Sequence, residues 1–200
     1  MTVTDVVSEA LKVLREGGVI LYPTDTVWGI GCDATNEKAV ARVFEIKRRS
    51  ESKSLVMLAC DLDMVAKYVR QIPSVAIDLV EVNDRPMTII YPEAQYLAPN
   101  AVAQDGSVGI RVPYVDPEEK GSLRSADFCV ELVRRLRKPL VSTSANISGE
   151  PAPGSFKEIS EEIKSAVDYV VPPKYGQGAS GRASQIISLG LGGEVRIIRE

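Results

Sequence analysis

The sequence predicts an α/β protein in which helices cover a central sheet. Short apolar runs that end at proline or at polar turns alternate with longer segments whose apolar residues recur at helical spacing. The apolar run at residues 19–22 ends at Pro23, as expected of a strand. Residues 36–47 place apolar side chains on one helical face behind a capping Asn36. This alternation continues along the whole chain.

The same two patterns assign the remaining elements. Helices are predicted over residues 5–16, 36–47, 62–69, 73–82, 125–137 and 156–166. Strands are predicted over residues 19–22, 55–59, 87–91, 108–112, 140–142, 169–171, 185–189 and 195–199. Residues 172–182, rich in glycine and proline, form a loop that is too short to separate domains. We therefore expect one domain spanning residues 1–200.

Composition excludes several kinds of chemistry. The 200 residues carry a formal net charge of −3, so any attraction for phosphate must come from a local cluster of cations. The sequence contains no histidine, which excludes an imidazole base and histidine-ligated metals. Its 3 cysteines stand far apart, which argues against a disulfide framework or a zinc site. With neither a signal-peptide pattern nor a long apolar run, we expect a cytoplasmic protein that does not contact membranes.

Two hydroxyls and a carboxylate follow the first predicted strand, in the sequence Tyr-Pro-Thr-Asp-Thr-Val-Trp-Gly at residues 22–29. Loops after strands are where α/β proteins place binding sites. Thr26 and its neighbours can therefore hold a small polar molecule. The alternative is a turn whose threonine and aspartate side chains only satisfy the backbone.

Cations concentrate at the end of the helix predicted over residues 36–47. Lys47, Arg49 and Lys53 combine point charges with a forked donor, which suits a triphosphate. Lys47 and Arg49 stand two positions apart, so they converge on one anion only if the helix unwinds between them. A solvated helix end, where cations are favourable, is the alternative.

Arg111 lies in a strand-like apolar run that begins after Ser107. If its apolar neighbours face the core, Arg111 faces the other side of the sheet and needs a carboxylate or phosphate partner. An internal salt bridge satisfies this need equally well.

A third polar segment follows the strand predicted over residues 140–142. The turn Ser-Thr-Ser-Ala-Asn-Ile-Ser-Gly at residues 142–149 can offer donors to phosphate oxygens or a nucleotide. A capping or Asx turn is the alternative. Near the C-terminus, Ser184 and Arg199 add one more hydroxyl and one more cation.

Together and in this order, four motifs resemble the YrdC/Sua5 family of threonylcarbamoyl-AMP synthases. They are the Pro-Thr-Asp-Thr-x-Trp-Gly turn, the Lys-x-Arg element, the Arg-Val-Pro strand and the Ser-x-Ser-Ala-Asn-x-Ser-Gly turn. The resemblance covers almost the whole sequence. It implies a twisted sheet of mixed parallel and antiparallel strands, flanked by helices around a concave basic cavity. It also implies the single-domain YrdC type, because longer members carry a further C-terminal domain.

The resemblance further implies an activity, the ATP-dependent joining of L-threonine and bicarbonate or CO2. The products are threonylcarbamoyl-AMP and pyrophosphate, which makes the enzyme a nucleotidyltransferase. Mg2+ is expected with the ATP phosphates, and no residue of the chain is assigned to a metal. The adenylate is expected to feed the t6A modification of tRNA, which separate proteins complete.

By resemblance, each candidate residue receives a role. Lys47 and Arg49 are the expected catalytic cations. L-Threonine is expected to contact Thr26, Arg111, Ser144 and Ser184. ATP is expected to contact Lys47, Arg49, Lys53, Ser107, Ser142, Asn146 and Arg199. The sequence departs from the family where relatives have prolines in place of Ser50 and Ser54, and an aspartate in place of Ser188.

Two other functions remain open on the sequence alone. A concave basic surface also suits double-stranded RNA or tRNA through phosphate contacts, although the acidic net charge counts against it. A related domain of hydrogenase-maturation proteins acts in carbamoyl transfer, within larger chains.

Overall fold

The computed structural model of the protein describes residues 2–50, 55–115 and 125–200. Its helices are α1 (Val3–Arg15), α2 (Glu37–Ile46), α3 (Leu62–Tyr68), α4 (Ser74–Glu81), α5 (Ser125–Leu136) and α6 (Glu161–Ala166). Its strands are β1 (Ile20–Tyr22), β2 (Gly29–Gly31), β3 (Val56–Leu58), β4 (Met87–Tyr91), β5 (Val108–Arg111), β6 (Leu140–Ser144), β7 (Tyr169–Val170), β8 (Gln185–Leu189) and β9 (Val195–Arg199). Within the described ranges, no helix is both long enough and apolar enough to cross a bilayer.

The strands form one mixed sheet in the order β7-β1-β2-β6-β3-β5-β4-β8-β9. The pairs β1–β7, β3–β5 and β4–β8 are parallel, and the other neighbouring strands are antiparallel. The prediction of a mixed sheet flanked by helices is therefore confirmed. The centre of the sheet, where β6, β3, β5 and β4 lie side by side, brings together segments that are distant in sequence.

Helix ends follow the capping chemistry that the sequence carries. Thr2 and Asp5 form a reciprocal capping box at the start of α1. Asn36 caps α2 as predicted, because its side chain accepts a hydrogen bond from the Ala39 amide at 3.2 Å. The apolar faces of α1 and α5 pack against each other, and both contribute fully buried residues to the core.

Two elements differ from the sequence predictions. β2 has no counterpart among the predicted strands, because a three-residue strand with two glycines has too little apolar pattern to recognise. The helix predicted over residues 156–166 is divided into a short 3-10 helix, Phe156–Glu158, and α6. The division occurs because Ser160 begins a new helix by accepting a hydrogen bond from the Ile163 amide at 3.3 Å.

Candidate active site

A cavity of about 430 Å³ lies over the centre of the sheet. This volume lies within the usual range of small-molecule sites. Eight of its lining residues carry hydroxyls: Thr24, Thr26, Thr88, Ser107, Ser142, Thr143, Ser144 and Ser184. Three more are arginines: Arg49, Arg111 and Arg199. The described part of the lining is therefore rich in hydrogen-bond donors and positive charge.

Strand register explains how the floor of the cavity forms. Val56 of β3 pairs with Ser142 of β6 on one side and with Gly109 of β5 on the other. Gly109 in turn pairs with Ile90 of β4, and all four residues border the cavity. Alternate residues of a strand share one face, so Ser144 and Arg111 reach the same cavity two positions further along their strands.

The turn after β1 places two hydroxyls at the cavity wall. The Oγ1 atoms of Thr24 and Thr26 lie 2.8 Å apart, and both side chains are buried. The Thr24 hydroxyl donates to the carbonyl of Val27 at 2.6 Å, and its oxygen accepts from the Thr26 amide at 3.1 Å. Thr26 was predicted to be a site residue. Thr24 was not singled out, although it belongs to the same motif.

Arg111 faces the cavity but also forms an internal ion pair. Its Nη1 donates to Oδ1 of Asp25, and each side chain is only 4% exposed. Of the alternatives that the sequence left open, the internal salt bridge is therefore present. The Nε of Arg111 is buried and has no hydrogen-bond partner among the described residues. Arg111 therefore combines an internal ion pair with a position in the cavity wall.

The helix unwinds after Lys47. Unwinding at this point is the condition under which Lys47 and Arg49 can converge on one anion. The Arg48 amide donates to the Glu45 carbonyl and the Arg49 amide to the Phe44 carbonyl, both at 2.9 Å. This is a Schellman ending, with Arg48 in the left-handed region at a φ of 49°. Arg49 consequently borders the cavity. Lys53 lies outside the described residues.

Lys47 is buried behind the cavity wall and does not border the cavity in the described structure. Its Nζ donates to the carbonyls of Ser144 at 2.5 Å and Asn146 at 2.7 Å. Burial, assisted by the nearby charge of Arg49, lowers the pKa of Lys47 to about 8. Burial also lowers the pKa of the Arg49 guanidinium below its usual range.

The polar turn after β6 divides its side chains between two regions. Ser142 and Ser144 border the cavity. Asn146 does not; its side-chain amide donates to the carbonyls of Ile147 at 3.0 Å and Glu150 at 2.8 Å. The amide of Asn146 therefore braces the turn beside the cavity, and its predicted contact with ATP stays a prediction.

The late residues Ser184 and Arg199 lie at the cavity together with Thr88, which sequence reasoning missed. Ser184 and Thr88 share a hydrogen bond of 2.8 Å between their hydroxyls. Arg199 donates from Nε and Nη2 to the Ser184 carbonyl at 3.0 and 2.6 Å. The sequence does carry a signal for Thr88, because it is a single threonine within the otherwise apolar strand β4, where it is buried.

Ser107, the residue before β5, also borders the cavity. Its hydroxyl donates to Oδ1 of Asp105 at 2.6 Å, and its amide donates to the same atom at 2.9 Å. These two hydrogen bonds hold the pKa of the Asp105 carboxyl below its usual range. Because its proton is committed to Asp105, the Ser107 hydroxyl can only accept a hydrogen bond from a ligand.

Fold and site together define an α/β protein with a small-molecule cavity lined by hydroxyl groups and arginines. The Sua5_yciO_yrdC family, whose description reads "Telomere recombination", matches residues 12–200. A threonylcarbamoyl-AMP synthase of Hahella chejuensis is 32% identical over 84% of this chain and 86% of its own length. The chain therefore belongs to the Sua5/YciO/YrdC family.

Solved structures share this fold. The crystal structure of E. coli YciO superposes with a TM-score of 0.77 at 22% identity, covering 98% of this chain and 89% of that one. P. abyssi Sua5 complexed with L-threonine superposes with a TM-score of 0.78 at 24% identity and covers 94% of this chain. The present chain spans about half of that longer protein, 52% of its length.

Proposed function

We propose that this chain is an L-threonylcarbamoyladenylate synthase that uses L-threonine, bicarbonate or CO2, and ATP. The observation that carries the proposal is the cavity in which three arginines and eight hydroxyl-bearing residues converge over the sheet. The name of the Hahella chejuensis relative supports the same activity. The P. abyssi protein of the same fold binds L-threonine, which supports this substrate.

The reaction has two bond-forming steps. The amine nitrogen of threonine attacks the carbon of CO2 and loses a proton, which gives a carbamate; with bicarbonate, hydroxide leaves the carbon and combines with that proton as water. A carbamate oxygen then attacks the α-phosphorus of ATP, and the bond to the pyrophosphate oxygen breaks. The products are threonylcarbamoyl-AMP and pyrophosphate, and no redox change is involved.

Charge neutralisation is the main task of the protein in this reaction, because carbamate, carboxylate and triphosphate are all anions. Arg49 and Arg199 border the cavity and can supply it, whereas the charge of Arg111 is already balanced by Asp25. Mg2+ carried by ATP would supply further positive charge at the phosphates. Within the described residues, no cluster of three or more acidic or cysteine side chains forms a metal site of the protein's own.

The product is a mixed anhydride, which activates the carbamoyl carbon for attack by an amine. We propose that its acceptor is an adenosine of tRNA, which separate proteins modify to t6A. The relatives named as synthases favour this function over an RNA-binding module or a carbamoyl-transfer domain. A cavity of about 430 Å³ also matches a nucleotide and an amino acid better than a duplex.

Product analysis tests the proposal. The purified protein is incubated with MgATP, L-threonine and carbon-labelled bicarbonate, and the mixture is analysed by mass spectrometry. We expect labelled threonylcarbamoyl-AMP and an equal amount of pyrophosphate, with neither formed when threonine is left out. Pyrophosphate release that does not depend on threonine would contradict the proposal.

A further inference from the structure

Three hydrogen bonds join Lys47 to the turn of residues 144–148. The Lys47 ammonium donates to the carbonyls of Ser144 at 2.5 Å and Asn146 at 2.7 Å. The Lys47 carbonyl accepts from the Ser148 amide at 2.9 Å. One residue therefore binds the beginning, middle and end of the turn, using both its backbone and its side chain.

The ammonium group has little capacity left for a ligand. Two of its three N–H groups are committed to protein carbonyls, and the residue is only 2% exposed. Ser144, by contrast, borders the cavity directly. The route from Lys47 to a bound substrate therefore passes through the turn.

We infer that Lys47 is a positioning residue that holds the turn of residues 144–148 in its ligand-binding conformation. It does not act as a direct ligand of the triphosphate. This inference rests on the proposed function for the identity of the ligands, threonine and ATP. It changes the role expected for Lys47, because only Arg49 of the Lys-x-Arg pair then contacts the nucleotide.

Electrostatics explains why a cation is needed behind the turn. The carbonyl oxygens of Ser144 and Asn146 carry partial negative charge. If these oxygens faced the cavity, they would repel a bound carboxylate or phosphate. Lys47 binds both oxygens. The same turn can then present the Ser144 hydroxyl to an anion without opposing carbonyl dipoles.

Binding of threonine without nucleotide separates the two roles of Lys47. If Lys47 contacts only the phosphates of ATP, replacing it cannot change the affinity for threonine alone. If Lys47 positions the turn, replacing it lowers that affinity. We expect Lys47→Met to weaken L-threonine binding in calorimetry by roughly tenfold or more, because charge-assisted hydrogen bonds are lost. AMP and ATP affinities should fall by similar factors. The control is Lys38→Met, an exposed lysine on the same helix, which should bind as wild type does.

Unchanged threonine affinity in Lys47→Met, whether or not ATP affinity falls, would overturn the inference. If Lys47→Met does not fold, Lys47→Gln serves in the same measurement, since its amide is a neutral donor that still fits the site. If the wild-type protein binds no threonine, the proposed function fails instead. Amide hydrogen exchange of residues 145–148 then tests the positioning role alone: faster exchange in the variant supports it, and unchanged exchange overturns it.

Discussion

The Thr24 hydroxyl fixes the direction of the hydrogen bond that the Thr26 hydroxyl makes. Thr24 gives its only proton to the Val27 carbonyl at 2.6 Å. The 2.8 Å contact between the two hydroxyls must therefore be donated by Thr26. As a result, Thr26 offers only acceptor lone pairs to the cavity. A ligand that brings a donor to this point, such as an ammonium or hydroxyl group, is favoured there.

Removing the Thr24 hydroxyl should release this constraint. We expect Thr24→Val, which preserves shape, to raise KM for threonine roughly 3- to 10-fold, the effect of one neutral hydrogen bond. KM for ATP should change little. Thr24→Ser keeps the hydroxyl and should restore the wild-type value. Equal values of KM for threonine in Thr24→Val and wild type would show that the Thr26 hydroxyl is not oriented in this way.

The buried ion pair between Arg111 and Asp25 should be costly to break. Asp25→Ala leaves a buried guanidinium without its carboxylate, and we expect a loss of about 3–5 kcal/mol in the free energy of unfolding. The matched control is Glu162→Ala, which breaks the exposed pair with Arg48. That change should cost no more than about 1 kcal/mol. Urea unfolding measures both, and similar losses in the two variants would contradict the comparison.

Lys47 should also leave a signature in the pH dependence of stability. Its pKa falls from 10.5 to about 8 on folding, because burial disfavours the charged form. From about pH 8 to about pH 10 the unfolded chain binds more protons at this site than the folded one. The contribution of Lys47 to the free energy of unfolding therefore rises with pH, by at most about 1.4 kcal/mol per pH unit.

Comparison with Lys47→Met isolates this contribution. The wild-type free energy of unfolding, measured in urea across this pH range, should rise relative to that of the variant. Other groups that contribute to the pH dependence in this range, such as tyrosines that ionise in the unfolded chain, are present in both proteins and cancel. Parallel curves would mean that Lys47 titrates at its ordinary pKa in the folded state.

Two glycines of the sheet should respond differently to an added methyl group. A Cβ at Gly31 would lie 2.3 Å from the Val141 carbonyl oxygen and 2.7 Å from Cε1 of Tyr22. We expect Gly31→Ala to destabilise the fold by about 2 kcal/mol or more. A Cβ at Gly109 meets its nearest neighbour, Cγ2 of Thr88, at 3.4 Å, an ordinary contact.

Gly109→Ala should therefore keep wild-type stability within about 1 kcal/mol. Its methyl group would instead occupy part of the cavity floor, because Gly109 borders the cavity. Thermal unfolding and threonine binding, measured on both variants, separate the two effects. A Gly109→Ala protein with low stability and normal affinity would contradict this assignment.

Much of the fold could be predicted from the sequence because periodicity and capping act locally. Asn36 before the apolar positions of α2 was sufficient to place that helix. The order of strands could not be predicted in the same way. It depends on long-range pairings such as Val56 with Ser142 and Gly109, which leave no signal in a single segment.

The site was predicted where polar residues interrupt or follow apolar strands, and missed where their partners lie elsewhere in the chain. Thr26, Arg111 and Ser144 stood out in this way and do border the cavity. The ion pair of Arg111 with Asp25 joins residues 86 positions apart, so neither residue indicated the other. The hydrogen bonds of Lys47 to the turn were equally hidden, and they alter what its charge can do.

A crystal structure with L-threonine and a non-hydrolysable ATP analogue bound together tests the central claim most directly. Both molecules should lie in the cavity over the sheet. The threonine should donate to Thr26, the phosphates should contact Arg49, and Lys47 should still bind the carbonyls of Ser144 and Asn146. Ligands bound elsewhere, with this cavity holding only solvent, would contradict the account.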